Sequence, residues 1–209
     1  MLLSRPEIFK LFFNGTTKTK EMDEAVASGK IGFDPGIELD QIGQTSIDLR
    51  LGSSFWVHNK EAIAGIKINI AHGIPNIDGL WHKHELRPAQ GGRAVDSWEL
   101  GPGDFALGWT HEIVHIPKNL AGFVEGRSSF ARLGLSVHQS APWIHPGFRG
   151  PIFLEIKNSG SCTIDLTPLV VKPCQLSFFQ ITTELKEDQA YGSLPGDDFQ
   201  DQSKPSGDK

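Results

Sequence analysis

Between Pro146-Gly147 and Ser159-Gly160 the chain reads "FRGPIFLEIKN", and its side chains alternate without a break. Ile152, Leu154 and Ile156 take one face of a strand, leaving Phe153, Glu155 and Lys157 on the other. Similar runs recur. "TSIDLRLGSSFWV" sets Ile47, Leu49 and Leu51 against Asp48 and Arg50 in a strand expected to end at Gly52, and "DFALGW" alternates Phe105, Leu107 and Trp109 with Ala106 and Gly108. Gly at 23 and Pro at 13 separate these runs, which favours a mainly β class over a helical one. With 209 residues and no linker-like stretch, a single domain over 1–209 is expected.

Helix signals are confined to the first ~30 residues. Ser4 and Glu7 form a capping box ahead of Ile8, Leu11 and Phe12 on one helical face, and a second short helix is expected from Lys20 to Ser28. From Ile63 to Asp96 the pattern blurs; "HKHE" at 82–85 could supply a metal-ligand pair, but with no third or fourth ligand at metal-site spacing it reads as a solvated loop. No apolar run approaches ~18 residues and no signal-peptide order is present, so a soluble, cytoplasmic protein without a membrane partner is expected. A net charge of -5 argues against a nucleic acid polymer as partner. Cys162 and Cys174 supply neither a disulfide framework nor a four-cysteine zinc site, and both are expected to be reduced core or near-core thiols.

His111-Glu112-Ile113-Val114-His115 spells H-E-x-x-H, a zinc-hydrolase motif that works only on a helix. The β-branched residues around it and Pro117 after it specify a strand. On a strand the two histidines share a side but lie about 13 Å apart, too far to grip one ion. No metal site is expected.

"EGRSSFARLGL" (125–135) opens on a turn that gathers Arg127, Ser128 and Ser129 at the start of an apolar run, a cradle suited to phosphate. Surface arginines on a capped helix fit the pattern equally well. Arg132 follows five residues after Arg127, pointing elsewhere if a helix continues. Glu155, in the middle of the apolar strand, has two readings: a solvent-facing carboxylate or ion pair with Lys157 or Arg132, or a general base held in a cleft.

The block 125–160 closely resembles the dCTP deaminase family, relatives of the trimeric dUTPases, which carry G-R-S-S-x-A-R-L-G-L followed by a glutamate in a strand ending near N-S-G. "MLLSRPEI", "QTSIDLRLG" and "LGPGDFALGWTHEIVHIPKNLAGFVEGRSS" extend the resemblance, so that it covers most of residues 1–8, 37–56 and 99–182. The resemblance implies a distorted dUTPase-like β-barrel with short N-terminal helices, assembled as a homotrimer with active sites shared between subunits. It also implies zinc-independent hydrolysis of dCTP to dUTP and ammonia, supplying dUTP for dTTP synthesis, with dTTP as an inhibitor. The absence of P-C-x-x-C agrees on zinc. By the family pattern Glu155 would be the base, and Ser128 with the carbonyl of Ala141 would hold the attacking water. Arg132 would steady the Glu155 region. Arg127 and Ser129 would meet a triphosphate carried with Mg²⁺, and Gln175 would lie near the nucleotide.

Departures accompany the match. Where the family commonly reads T-A-H-R-I-D-P-G this chain has "SAPWIHPG", placing Pro142, Trp143 and His145 at the histidine, arginine and aspartate positions. The lost aspartate argues against a dUMP-forming activity. Trp143 either stacks on a base or sugar or fills the core; His145 can still accept a hydrogen bond. The tail from 186 resembles the family's mobile closing arm, with Phe199, Gln200 and Gln202 matching its aromatic and glutamine pattern, but Asp197 and Asp198 stand where a lysine is usual. The alternatives are a bifunctional dUMP-forming deaminase-diphosphatase and a non-catalytic nucleotide-binding regulator of the same fold.

Overall fold

The computed structural model describes residues 1–13, 28–69, 71, 78–87, 96–197 and 199–205. Thirteen strands carry the described fold: β1 (Phe12–Phe13), β2 (Ile31–Asp34), β3 (Ser46–Leu49), β4 (Leu51–His58), β5 (Trp81–Glu85), β6 (Trp98–Leu100), β7 (Phe105–His115), β8 (Leu120–Gly126), β9 (Leu135–Ser136), β10 (Trp143–Ile144), β11 (Arg149–Asn158), β12 (Ile164–Leu166) and β13 (Cys174–Gln180). They form a seven-stranded sheet built on β7 and β11, a four-stranded sheet ordered β10-β8-β13-β3, and a β12-β6 pair. The fold is mainly β, as the alternation requires. Among the described residues the ladders form three sheets and do not close into one barrel.

Period-two burial is strictest where the sequence alternates most strictly. In β11, Ile152, Leu154 and Ile156 are buried while Phe153, Glu155 and Lys157 are half-buried on the opposite face. In β7 the deeper face holds Ala106, Gly108, Thr110 and Glu112, so Phe105, Leu107 and Trp109 lie on the outer, half-buried side. Trp109 meets Trp56 edge-on at 4.9 Å between ring centres and Phe153 at 5.5 Å. Gly52 makes room for that layer, since a Cβ there would stand 2.4 Å from Trp109 Cδ1.

Four sequence expectations need correction. The expected strand from Thr45 does not end at Gly52: it breaks at Arg50 and resumes as β4 through His58. The break has a cause, because the Arg50 N–H leaves the ladder to donate to the Glu112 carboxylate at 2.9 Å. The N-terminal helix spans Arg5–Lys10, with Glu7 accepting from Ser4 N–H and Oγ at 2.8 and 2.7 Å and Ile8 fully buried. Phe12 is not on that helix; its backbone pairs with Ile31 in a parallel ladder. "HKHE" is not a loop but part of β5, an exposed strand laid against β4, with Glu85 accepting from Ser54 Oγ at 2.7 Å. Cys162 is exposed, whereas Cys174 is fully buried and its thiol pKa is pushed up by that burial. The helix expected from Lys20 to Ser28 lies almost wholly outside the described residues. No helix among the described residues is long and apolar enough to cross a membrane.

Candidate active site

H-E-x-x-H lies within β7, as its β-branched content requires. The glutamate between the histidines faces the core. Thr110 donates its hydroxyl to the Glu112 carbonyl at 2.7 Å and accepts the Ile152 N–H at 3.0 Å, filling an irregularity in the β7-β11 ladder. Glu112, fully buried, then accepts from Arg50 Nε at 2.7 Å, Arg50 N–H at 2.9 Å and Gln41 Nε2 at 3.0 Å. A buried carboxylate needs such donors. It is a structural anchor joining β7 to the β3-β4 junction, not a water-activating base. Burial holds the His111 pKa below its ordinary value.

Glu155 is different. Its carboxylate accepts the Gln139 N–H at 2.7 Å, while Gln139 Nε2 donates to the Glu155 carbonyl at 3.2 Å and the Glu155 N–H donates to the Val137 carbonyl at 2.9 Å. These bonds fix the strand and the carboxylate against the 137–139 segment. The expected ion pairs are not formed: Lys157 donates instead to the Gly103 carbonyl, and Arg132 is exposed with no carboxylate partner among the described residues.

Glu155 lines a cavity of about 630 Å³, a volume suited to a nucleoside-sized ligand. Ala141, Trp143, His145, Phe199 and Gln202 share its wall, so six of the sequence-selected residues converge there. Trp143 is 54% exposed and meets Phe123 edge-on at 4.8 Å, which sets aside the core-filling alternative. His145 stacks on Tyr191 at 5.7 Å. Gln202, 7% exposed, belongs to a tail segment that lies over the cavity, and Phe199 N–H donates to the Tyr191 hydroxyl at 3.3 Å. Asp197 also lines the cavity and uses its carboxylate to accept the N–H groups of Gly192 and Leu194 at 2.9 and 2.8 Å. Asp198 lies outside the described residues.

The remaining sequence-selected residues do not line this cavity; they form a second group around β13 and the end of β8. Gln175 accepts from Ser46 Oγ at 3.0 Å and donates to the Gly126 carbonyl at 3.3 Å. Arg127 pairs with Asp48 at 3.3 Å and lies over the Phe130 ring. Burial raises the Asp48 pKa, and the Arg127 and Lys172 charges oppose the rise. The helix after Arg127 is a single turn, Ser128–Ala131, which leaves Ser128, Ser129 and Arg132 exposed. The turn that follows the helix ends at Gly134 (φ +92°), whose missing Cβ admits the Gly160 backbone.

Sequence reasoning missed Gln139, Phe153, Tyr191 and Trp81, all of which hold or line the Glu155 site. Tyr191 had one signal, being the only tyrosine in the chain and sitting in a polar tail. Trp81 had none, because its strand carries no alternation.

Comparison with known proteins shows the family. The dCTP deaminase-like family matches residues 16–181, and the chain belongs to that family. A dCTP deaminase of Haloarcula marismortui is 35% identical over 209 residues, covering 100% of this chain and 94% of the relative. A dUMP-forming dCTP deaminase of Halobacterium salinarum is 35% identical over 181 residues, covering 86% and 87%. Among solved structures, the 2'-deoxycytidine 5'-triphosphate deaminase of Agrobacterium tumefaciens superposes with a TM-score of 0.58 at 22% identity. The match takes in 89% of this chain and 50% of that one, and it establishes likeness of fold.

Proposed function

We propose that this chain hydrolyses dCTP to dUTP and ammonia, with Glu155 as the proton-transferring group. The observation that carries the reading is Glu155 itself. Its carboxylate borders an aromatic-walled cavity, is oriented by a backbone N–H, and is not spent on an ion pair among the described residues. Attack of water on C4 of cytosine releases one proton to Glu155, which passes it to N3; Glu155 then carries the remaining hydroxyl proton to the amino nitrogen as the C4–N bond breaks and C4=O forms. Atoms balance as dCTP plus water giving dUTP plus ammonia. The carbonyl of Ala141 would accept from that water. Trp143, His145, Phe199 and Gln202 would enclose base and sugar.

Ser128, Arg132, Arg127, Ser129 and Gln175 have their family roles only if a second copy brings them to the mouth of the cavity. Ser128 would then hold the water, Arg132 would steady the Glu155 side, and Arg127 with Ser129 would meet the triphosphate, with Gln175 near the nucleotide. Mg²⁺ enters with the triphosphate as part of the substrate, zinc has no role, and the working unit is a homotrimer in the cytoplasm. Further cleavage of dUTP to dUMP is the second reading, prompted by the name of the Halobacterium relative. His145 at the family's aspartate position speaks against it. Binding of dTTP at this cavity would be inhibitory.

Subunit mixing tests the shared site. Glu155→Gln and Arg132→Ala oligomers, each inactive, are unfolded together and refolded as mixtures. One interface in four then joins an intact Glu155 to an intact Arg132, and recovery of about a quarter of the wild-type rate on dCTP is expected. No recovery at any mixing ratio would place each complete site within one chain.

A further inference from the structure

The cavity presents an electrostatic problem. No lysine or arginine is among the described residues that line it, and two carboxylates, Glu155 and Asp197, are. Base and sugar fit such a wall, but a triphosphate chain must meet its cations at the mouth. Arg149, at the start of β11, lies in the chain between Phe148 and Pro151, which both line the cavity, and its backbone bonds to residues 200 and 201, next to the cavity-lining Gln202.

We propose that Arg149 reads the phosphate chain of the ligand, and that the Asp201 carboxylate paired with its guanidinium competes with that chain for it. The assignment rests on the nucleotide reading above. Arg149 Nε donates to both Asp201 carboxylate oxygens at 2.7 and 2.9 Å, and Nη2 donates to one of them as well. That side-on fork is the geometry with which arginine takes two oxygens of a phosphate. The side chains are 42% and 45% exposed, so the pair is weak, screened by salt and open to displacement by a more highly charged anion.

Displacement need not release the tail. Asp201 N–H donates to the Arg149 carbonyl at 2.8 Å, Gln200 Oε1 accepts the Arg149 N–H at 3.0 Å, and Gln200 Nε2 donates to the Gly147 carbonyl at 3.3 Å. These bonds anchor 200–201 through groups other than the Asp201 carboxylate. The carboxylate therefore swings away while the segment bearing Gln202 stays over the cavity. Lys204, next to the cavity-lining Pro205, pairs with Asp78 at 3.4 Å.

Calorimetric titration with inorganic tripolyphosphate, deoxycytidine and dCTP tests the assignment, with dCTP titrated in a Glu155→Gln background. Asp201→Asn keeps a side chain that tolerates the positive φ of +49° at this position. It is expected to tighten tripolyphosphate and dCTP about threefold to tenfold while leaving deoxycytidine unchanged. Arg149→Gln is expected to weaken both polyanions about tenfold, again sparing deoxycytidine, and to abolish the effect of Asp201→Asn. Equal loss of deoxycytidine and dCTP in Arg149→Gln, no change in either polyanion, or no tripolyphosphate binding by any form overturns the assignment. Wild-type turnover of dCTP measured on the same preparation reports separately on the function.

Discussion

Replacing Glu155 by Gln is expected to lower turnover of dCTP by about a thousandfold or more, within the range by which a positioned acid-base group accelerates a reaction. The substitution keeps the volume, and the amide oxygen still accepts the Gln139 N–H, so β11 and the ladder to β7 stay intact. Binding of dCTP is expected to persist because the aromatic wall of the cavity is untouched. Melting temperature, dCTP affinity and rate, measured on one preparation, check all three. A rate within tenfold of wild type would remove Glu155 from the chemistry. A collapsed melting temperature would make it a structural residue, the role that Glu112 holds.

Glu112→Ala is expected to have the opposite signature, a large loss of stability. The side chain is fully buried with three donors on it, and its removal leaves the Arg50 guanidinium, whose side chain is 17% exposed, with only the exposed Glu38 carboxylate at 3.8 Å. Breaking a buried pair in this way costs about 3–5 kcal/mol. In a chain of this size that lowers the melting temperature by on the order of 10 °C. Thermal unfolding checks it, and a shift under 2 °C would mean that Glu112 anchors nothing. Glu112→Gln should lie between, since an amide can accept from only one oxygen.

These two glutamates mark what can be read from a sequence of this kind. The strand nature of 111–115 is legible because β-branched residues and Pro117 forbid the helix the zinc motif needs. The role of Glu112 is not legible, because its partners Arg50 and Gln41 are 62 and 71 residues away in the chain. Glu155 stands out locally as a charge in the middle of an apolar strand, but its orientation by Gln139 is set by a segment 16 residues earlier that crosses beside it. Strand β5 is hidden for a different reason. It is an exposed strand whose polar "HKHE" gives no period, and only its pairing with β4 makes it a strand. The helix of Arg5–Lys10 shows its start through Ser4 and Glu7 but not its end, which is set by the pairing of Phe12 with Ile31. Resemblance to the family gathers eleven site residues, yet one chain brings only six of them to a common cavity. The sequence carries no mark of which groups meet within a chain and which would meet across an interface.

In the proposed reaction water replaces the amino group at C4 of cytosine and the phosphate chain is left whole. Incubation of the purified protein with Mg²⁺ and dCTP in ¹⁸O-enriched water, followed by mass spectrometry of the products, tests it most directly. The expected result is dUTP carrying one ¹⁸O on the base, with ammonia released in equal amount and no label in phosphate. Label in pyrophosphate or in the phosphate of dUMP, or dCTP recovered unchanged, would contradict it.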